Sequence, residues 1–157
     1  MKAAGISEIK QELTTLSPKK VLELCLRLVK YKKENKELLS YLLFEAHDEQ
    51  TFIENVKKEI DGQFTELPRA TWYLTKKSLR KILRGINKYS RHTGSSESSI
   101  EMLIHFCIKL KSSGIPFHKN QALSNLYNQQ LKKINILMAS IHEDLRFDYK
   151  KQLEQLS

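Results

Sequence analysis

The sequence predicts an all-α fold of about seven helices in antiparallel pairs, arranged as a compact bundle or a short superhelical stack. Three observations carry that expectation. The 157 residues include only 5 Gly and 3 Pro, too few for the turns that strands at short spacing require. Apolar residues recur at steps of three and four along most of the chain. Apolar and charged fractions of 40% and 29% belong to a globular chain and not to a disordered one. One domain, residues 1–157, suits this length, and a domain of that size buries roughly 70% of its unfolded surface.

Ile6, Ile9, Leu13 and Leu16 follow the helical step and predict a short first helix with Ser7 as its cap. Ser17-Pro18 restarts the chain, with serine at the N-cap and proline in the first helical position. The second helix runs to about Lys33. Its Val21, Leu22, Leu24, Cys25, Leu26, Leu28 and Val29 cover more than half of the circumference. Lys30, Lys32 and Lys33 collect at its end, where cations meet the negative pole of the helix dipole. Asn35 caps a third helix, whose Leu38, Leu39, Tyr41, Leu42, Leu43 and Phe44 are apolar almost all round. Two such helices joined by a short link predict a hairpin at the centre of the fold, with Leu24, Leu28, Leu42 and Phe44 buried.

His47-Asp48 opens a fourth helix with Phe52, Ile53, Val56, Ile60 and Phe64 on one face. Leu67-Pro68 breaks it, and a fifth helix spans residues 68–92. The run HTGSSESS predicts a flexible loop near residues 92–98, after which Ser98 and Glu101 have capping-box spacing for a sixth helix. That helix is mostly apolar and stops at Ser113-Gly114-Ile115-Pro116. Past Pro116, Tyr127, Leu131, Ile134, Met138, Ile141 and Leu145 keep heptad spacing. A single helix from Lys119 to Leu156 would be roughly 57 Å long, wider than a domain of this size, so a break is expected near His142–Asp144. The other reading is a projecting end that pairs with a second copy, and monomer and homodimer both stay open. Successive helix pairs follow the general plan of helical-repeat solenoids such as HEAT and armadillo stacks, a likeness of fold that carries no function.

The fifth helix concentrates the charge. Arg69, Lys76, Lys77, Arg80, Lys81, Arg84, Lys88 and Arg91 lie in it without a single carboxylate, in a chain whose net charge is +9. At 100° per residue, Trp72, Leu79, Ile82, Leu83, Ile86 and Tyr89 fill an arc of roughly 120°, and the cations fill a separate one of about 140° with Tyr73 in its middle. One face can enter a core, with Trp72 and Leu83 as anchors, while the other shows water a cationic stripe. A solvated charged face normally mixes signs. This one repels itself at i,i+4 spacing, at a cost of a few tenths of a kcal/mol per pair, and that cost suggests use. An intramolecular alternative is neutralisation by Glu45, Asp48, Glu49 and Glu54. The expected function is a non-enzymatic interaction module that presents the basic helix to an acidic protein or to nucleic acid. The alternative is a dedicated RNA- or DNA-binding protein on the same face, with Tyr73 stacking on a base.

Other chemistry has weaker support. Glu101 and His105 stand at i,i+4, a spacing that metal sites use, but no second ligand pair accompanies them, so no metal is expected. Gly5, Gly62, Gly85, Gly94 and Gly114 are dispersed and build no phosphate loop, and no cofactor is expected. Cys25 and Cys107 sit on apolar faces and read as buried, reduced, inert thiols suited to a cytoplasmic protein. An enzyme with a pocket at a helix-pair junction is the third class. The N-terminus reads as no secretory signal, and no run is long enough to span a membrane.

Overall fold

A computed structural model describes residues 1–156 and is all-helical, with eight α-helices, two short 3-10 turns and no strand among the described residues. By internal contacts the chain falls into two compact units, Met1–Glu45 and Ala46–Ser157. No helix among the described residues is long and apolar enough to cross a membrane.

The first unit holds α1 (Ile6–Thr15), α2 (Pro18–Tyr31) and α3 (Lys33–Phe44). Helix α1 begins two residues earlier than the sequence suggests, because Gly5 and not Ser7 takes the cap position and its N–H donates to Glu8 Oε2 at 2.7 Å. Ser17 and Pro18 start α2 as expected, and the Ser17 hydroxyl accepts from Lys20 N at 3.3 Å. Lys32 alone links α2 to α3, and the two helices pack against each other. Asn35 does not cap α3. Its side chain donates to Leu28 O at 2.7 Å and ties the two helices together.

This hairpin is not the centre of the fold. Leu28, Leu42 and Phe44 are exposed, Leu24 is half-buried, and Tyr41 is the one buried side chain of the unit. An all-round apolar pattern requires neighbours, and one partner helix covers only part of each circumference.

The second unit holds α4 (Glu49–Thr65), α5 (Trp72–Thr93), α6 (Ser96–Ser112), α7 (Gln121–Met138) and α8 (Glu143–Glu154). Its centre is α6, which packs against α4, α5 and α7 and buries Ile100, Met102, Leu103, Ile104, Phe106, Cys107 and Leu110. Every member of the hydrophobic core cluster belongs to this unit, Ile82, Phe106 and Ile134 included. Asp48 caps α4 by accepting from Thr51 N at 3.1 Å. Tyr127 Oη donates to Leu156 O at 2.7 Å and Lys111 Nζ to Gln155 O at 2.9 Å, which fasten the end of the chain to α7 and α6. The long C-terminal heptad breaks after Met138, and His142 caps α8 as the length of the segment required.

The serine-rich stretch is no long loop. Gly94, at φ +63°, ends α5 in the left-handed conformation, and Ser95 at once caps α6 by accepting from Ser98 N at 3.2 Å. Ser98 therefore lies inside α6, where its hydroxyl donates to the Glu49 carboxylate, and Ser99 donates to Ser95 O at 2.8 Å. Serines that read as low complexity are satisfied hydroxyls of a tight interhelical turn. The stop after Ser112 is the expected one, with Gly114 at φ +72°.

Phe106 is fully buried at the middle of α6, so Phe106→Ala should cost about 3–5 kcal/mol, read as a lowered unfolding midpoint in denaturant. Burial also pushes the Cys107 thiol up to about 12. In a Cys25→Ser chain, Cys107 should resist a thiol reagent until the protein is unfolded, whereas rapid native labelling would contradict this packing. Cys25, expected to be buried as well, is only half-buried.

Candidate cationic interface

The face of α5 that the sequence singles out is displayed as a stripe, with corrections at its beginning. The helix starts at Trp72 and not at Pro68, because the Thr71 hydroxyl accepts from Leu74 N at 3.2 Å. Thr75, buried one turn later, donates to Pro68 O at 2.8 Å and Thr71 O at 3.0 Å and fixes the lead-in. Arg69 consequently stands outside the helix. Its guanidinium donates to Ser113 O at 2.8 Å and serves the carbonyl end of α6, where a cation complements the helix dipole. It is not a member of the stripe. Trp72, expected to be a core anchor, is half exposed at the helix start, whereas Leu79, Ile82, Leu83 and Ile86 enter the core.

Lys77, Arg80, Lys81, Arg84 and Arg91 are exposed along α5, and Lys76 and Lys88 are half-buried beside them. Among the described residues Lys76, Lys77, Arg80, Lys81, Arg84 and Arg91 make no ion pair. Lys88 Nζ lies 4.8 Å from the centroid of the Tyr89 ring, a cation–π contact. Tyr89 pins the helix to α4, with Oη donating to Glu59 Oε2 at 2.8 Å and its ring edge-on to Phe52 at 5.6 Å. The carboxylates of α4 that could have neutralised the stripe are used elsewhere. Asp48 caps α4, Glu49 accepts from Ser98, and Glu54 lies 3.5 Å from Lys57. Tyr73 is 72% exposed, one turn before Lys76 and Lys77 and two before Arg80.

One cation of the surface was not visible in the sequence. Lys133 of α7 donates to Asn87 Oδ1 on the outer face of α5, and burial without a carboxylate lowers its pKa. At the other end of α5 a recess of about 350 Å³ is lined by Arg69, Trp72, Thr75, Ile115 and Pro116.

The second polar constellation lies between α4, α6 and α8, around a cleft of about 390 Å³. Glu101 and His105 share a face of α6, as their spacing required, but each has its own partner. Lys57 Nζ stands 2.8 Å from Glu101 Oε2, and Tyr149 Oη donates to Glu101 Oε1 at 3.4 Å. His105 Nε2 is 2.6 Å from Asp61 Oδ1, which also receives Lys109 Nζ at 3.1 Å. Among the described residues no group of three or more His, Cys, Asp or Glu side chains is placed to hold a metal. Burial disfavours the charged Lys57 ammonium, yet Glu101 and Glu54 outweigh it and raise its pKa. Burial likewise disfavours ionised Asp61, and hydrogen bonds from His105 and Lys109 outweigh it and hold its pKa below the usual value.

A lowered carboxylate pKa contributes stability above the ordinary value of 3.8 and loses it as pH falls through the folded value. Asp61→Asn should therefore lower the thermal midpoint at neutral pH, and the gap from the parent chain should close as pH falls below 3.8. A gap independent of pH in melts across that range would mean that Asp61 matters for packing alone.

No protein-family model, curated protein or solved structure matches the chain.

Proposed function

We propose that the protein is a non-enzymatic helical interaction module that offers the outer face of α5 to an acidic protein surface or to nucleic acid. The observation that carries this reading is the set of exposed cations Lys77, Arg80, Lys81, Arg84 and Arg91, which make no ion pair among the described residues although Asp48, Glu49, Glu54 and Glu59 lie on or beside the adjoining helix α4. A face that repels itself and has no internal neutralisation is relieved by an external polyanion. From Lys77 to Arg91 the stripe runs about 21 Å at 1.5 Å per residue, enough for several phosphates or a run of carboxylates. Arg80 and Arg84 bear most of the attraction, with Lys77, Lys81 and Lys88 beside them. Two free thiols are compatible with a reducing cytoplasm.

A second reading, a dedicated RNA- or DNA-binding protein, is favoured by the exposure of Tyr73 among these cations, where its ring can stack on an unpaired base.

Replacing Arg80 and Arg84 with Glu should nearly abolish binding in either case, because each change removes an attraction and adds a repulsion. Both side chains are exposed and the i,i+4 repulsion is relieved, so the melt should not fall and should rise slightly if it moves. The parent chain and the variant are compared in pull-downs with and without nuclease and in titrations against single-stranded and duplex oligonucleotides. For nucleic acid, log affinity falls with log salt by about 0.9 per duplex phosphate contacted, or 0.7 per single-strand phosphate. Tyr73→Ala should then cost roughly 1–3 kcal/mol on single strands and little on duplex. An acidic protein partner survives nuclease and disappears on charge reversal. Unchanged binding in both assays would leave the stripe a solvated face.

A further inference from the structure

The first unit has two helices too apolar for what surrounds them. Leu22, Leu26 and Leu28 on α2 and Leu42, Leu43 and Phe44 on α3 are all exposed, at 55%, 62% and 68% for the three on α3. On α3 the apolar positions run almost all round, a pattern that belongs to a helix with neighbours on every side. Helix α1 adds Ile6, Ile9 and Leu13, with Leu16 at its C-cap, all of them exposed. At these exposures the unit shows water on the order of 1,000 Å² of apolar side chain or more, beyond the few hundred Å² usual for a monomer and above the roughly 800 Å² that each partner contributes to a standard interface.

We propose that the α2–α3 hairpin docks against the same hairpin of a second copy of this chain, closing a four-helix bundle. Three features select a second copy over an unrelated protein. The patch is large enough to form one side of a stable dimer interface. Two packed helices that still expose apolar side chains are half of a four-helix bundle, and a two-fold axis supplies an identical other half. The cover is also needed for stability: a unit of 45 residues with one buried side chain has no core of its own, and only another copy is always present at matching concentration.

Sedimentation equilibrium of the full chain over a concentration series tests this. The expected mass is twice the 18.4 kDa of one chain, and the thermal midpoint should rise with protein concentration. Leu42→Glu with Phe44→Glu should give a monomer that keeps its helical circular dichroism, while Ile136→Glu, more exposed still but on α7 and outside the patch, should stay dimeric. Arg80→Glu with Arg84→Glu should also stay dimeric, which separates this inference from the reading of α5. A monomer at every concentration with a concentration-independent midpoint overturns the proposal, as does a dimer that survives the double Glu substitution. A monomer that binds phosphatidylserine vesicles, and loses that binding in the double Glu variant, overturns it too and assigns the face to an anionic membrane surface. The wild-type concentration dependence decides the matter even where the double variant fails to fold.

Discussion

The burial of α6 over most of its circumference is the constraint from which the second unit follows. A helix with so little solvent face needs neighbours on several sides, so each neighbour must give it one face and turn another to water. Helix α5 meets that demand by strict segregation. Leu79, Ile82, Leu83 and Ile86 are buried, and fully burying such a side chain is worth about 1.5–3 kcal/mol each. Like-charge pairs at i,i+4, such as Lys76/Arg80 and Arg80/Arg84, cost only about 0.2–0.5 kcal/mol each. The core side therefore wins by a wide margin, and it allows the outer side to be chosen for something other than stability.

The polar contacts around α6 act on position more than on energy. Lys57 of α4, Glu101 of α6 and Tyr149 of α8 converge, and His105 with Lys109 holds Asp61 of α4. These groups are partly exposed, so each pair contributes modestly. Together they set where α4 and α8 lie along α6. In doing so they consume carboxylates that would otherwise be free, and Asp61, Glu54 and Glu101 are all engaged by their own cations.

What the sequence made readable was periodic and local. The apolar arc of α5, the Asp48 cap, the stop at Gly114 and the break before α8 all depend on residues within a turn or two of each other. What it hid was long-range. Arg69 and Ser113, Asp61 and His105, and Lys57 and Glu101 are each 44 residues apart, and Lys133 and Asn87 are 46 apart. No periodicity announces such pairs. The hairpin was misplaced for a related reason: a pattern of apolar residues says that a face must be covered, but not by which chain. Composition misled at HTGSSESS, where three successive roles (left-handed cap at Gly94, N-cap at Ser95, buried hydroxyl at Ser98) occupy residues that resemble a linker.

The two surfaces differ in a way that keeps them independent. Apolar docking through the first unit is insensitive to moderate salt, whereas the α5 stripe is screened within about 8 Å at physiological ionic strength. An exposed cation meeting one anion is worth at most about 1 kcal/mol, so a single stripe of this length binds weakly by itself. The proposed pairing of two chains would give the assembly two such stripes. Once one is engaged on a long polyanion, the second binds at an effective concentration that can reach millimolar, and avidity rises without any new contact. A short acidic ligand, able to meet one stripe only, gains nothing from the pairing. The two proposals taken together therefore favour an extended polyanionic partner over a small acidic one, through avidity more than through the chemistry of any single residue.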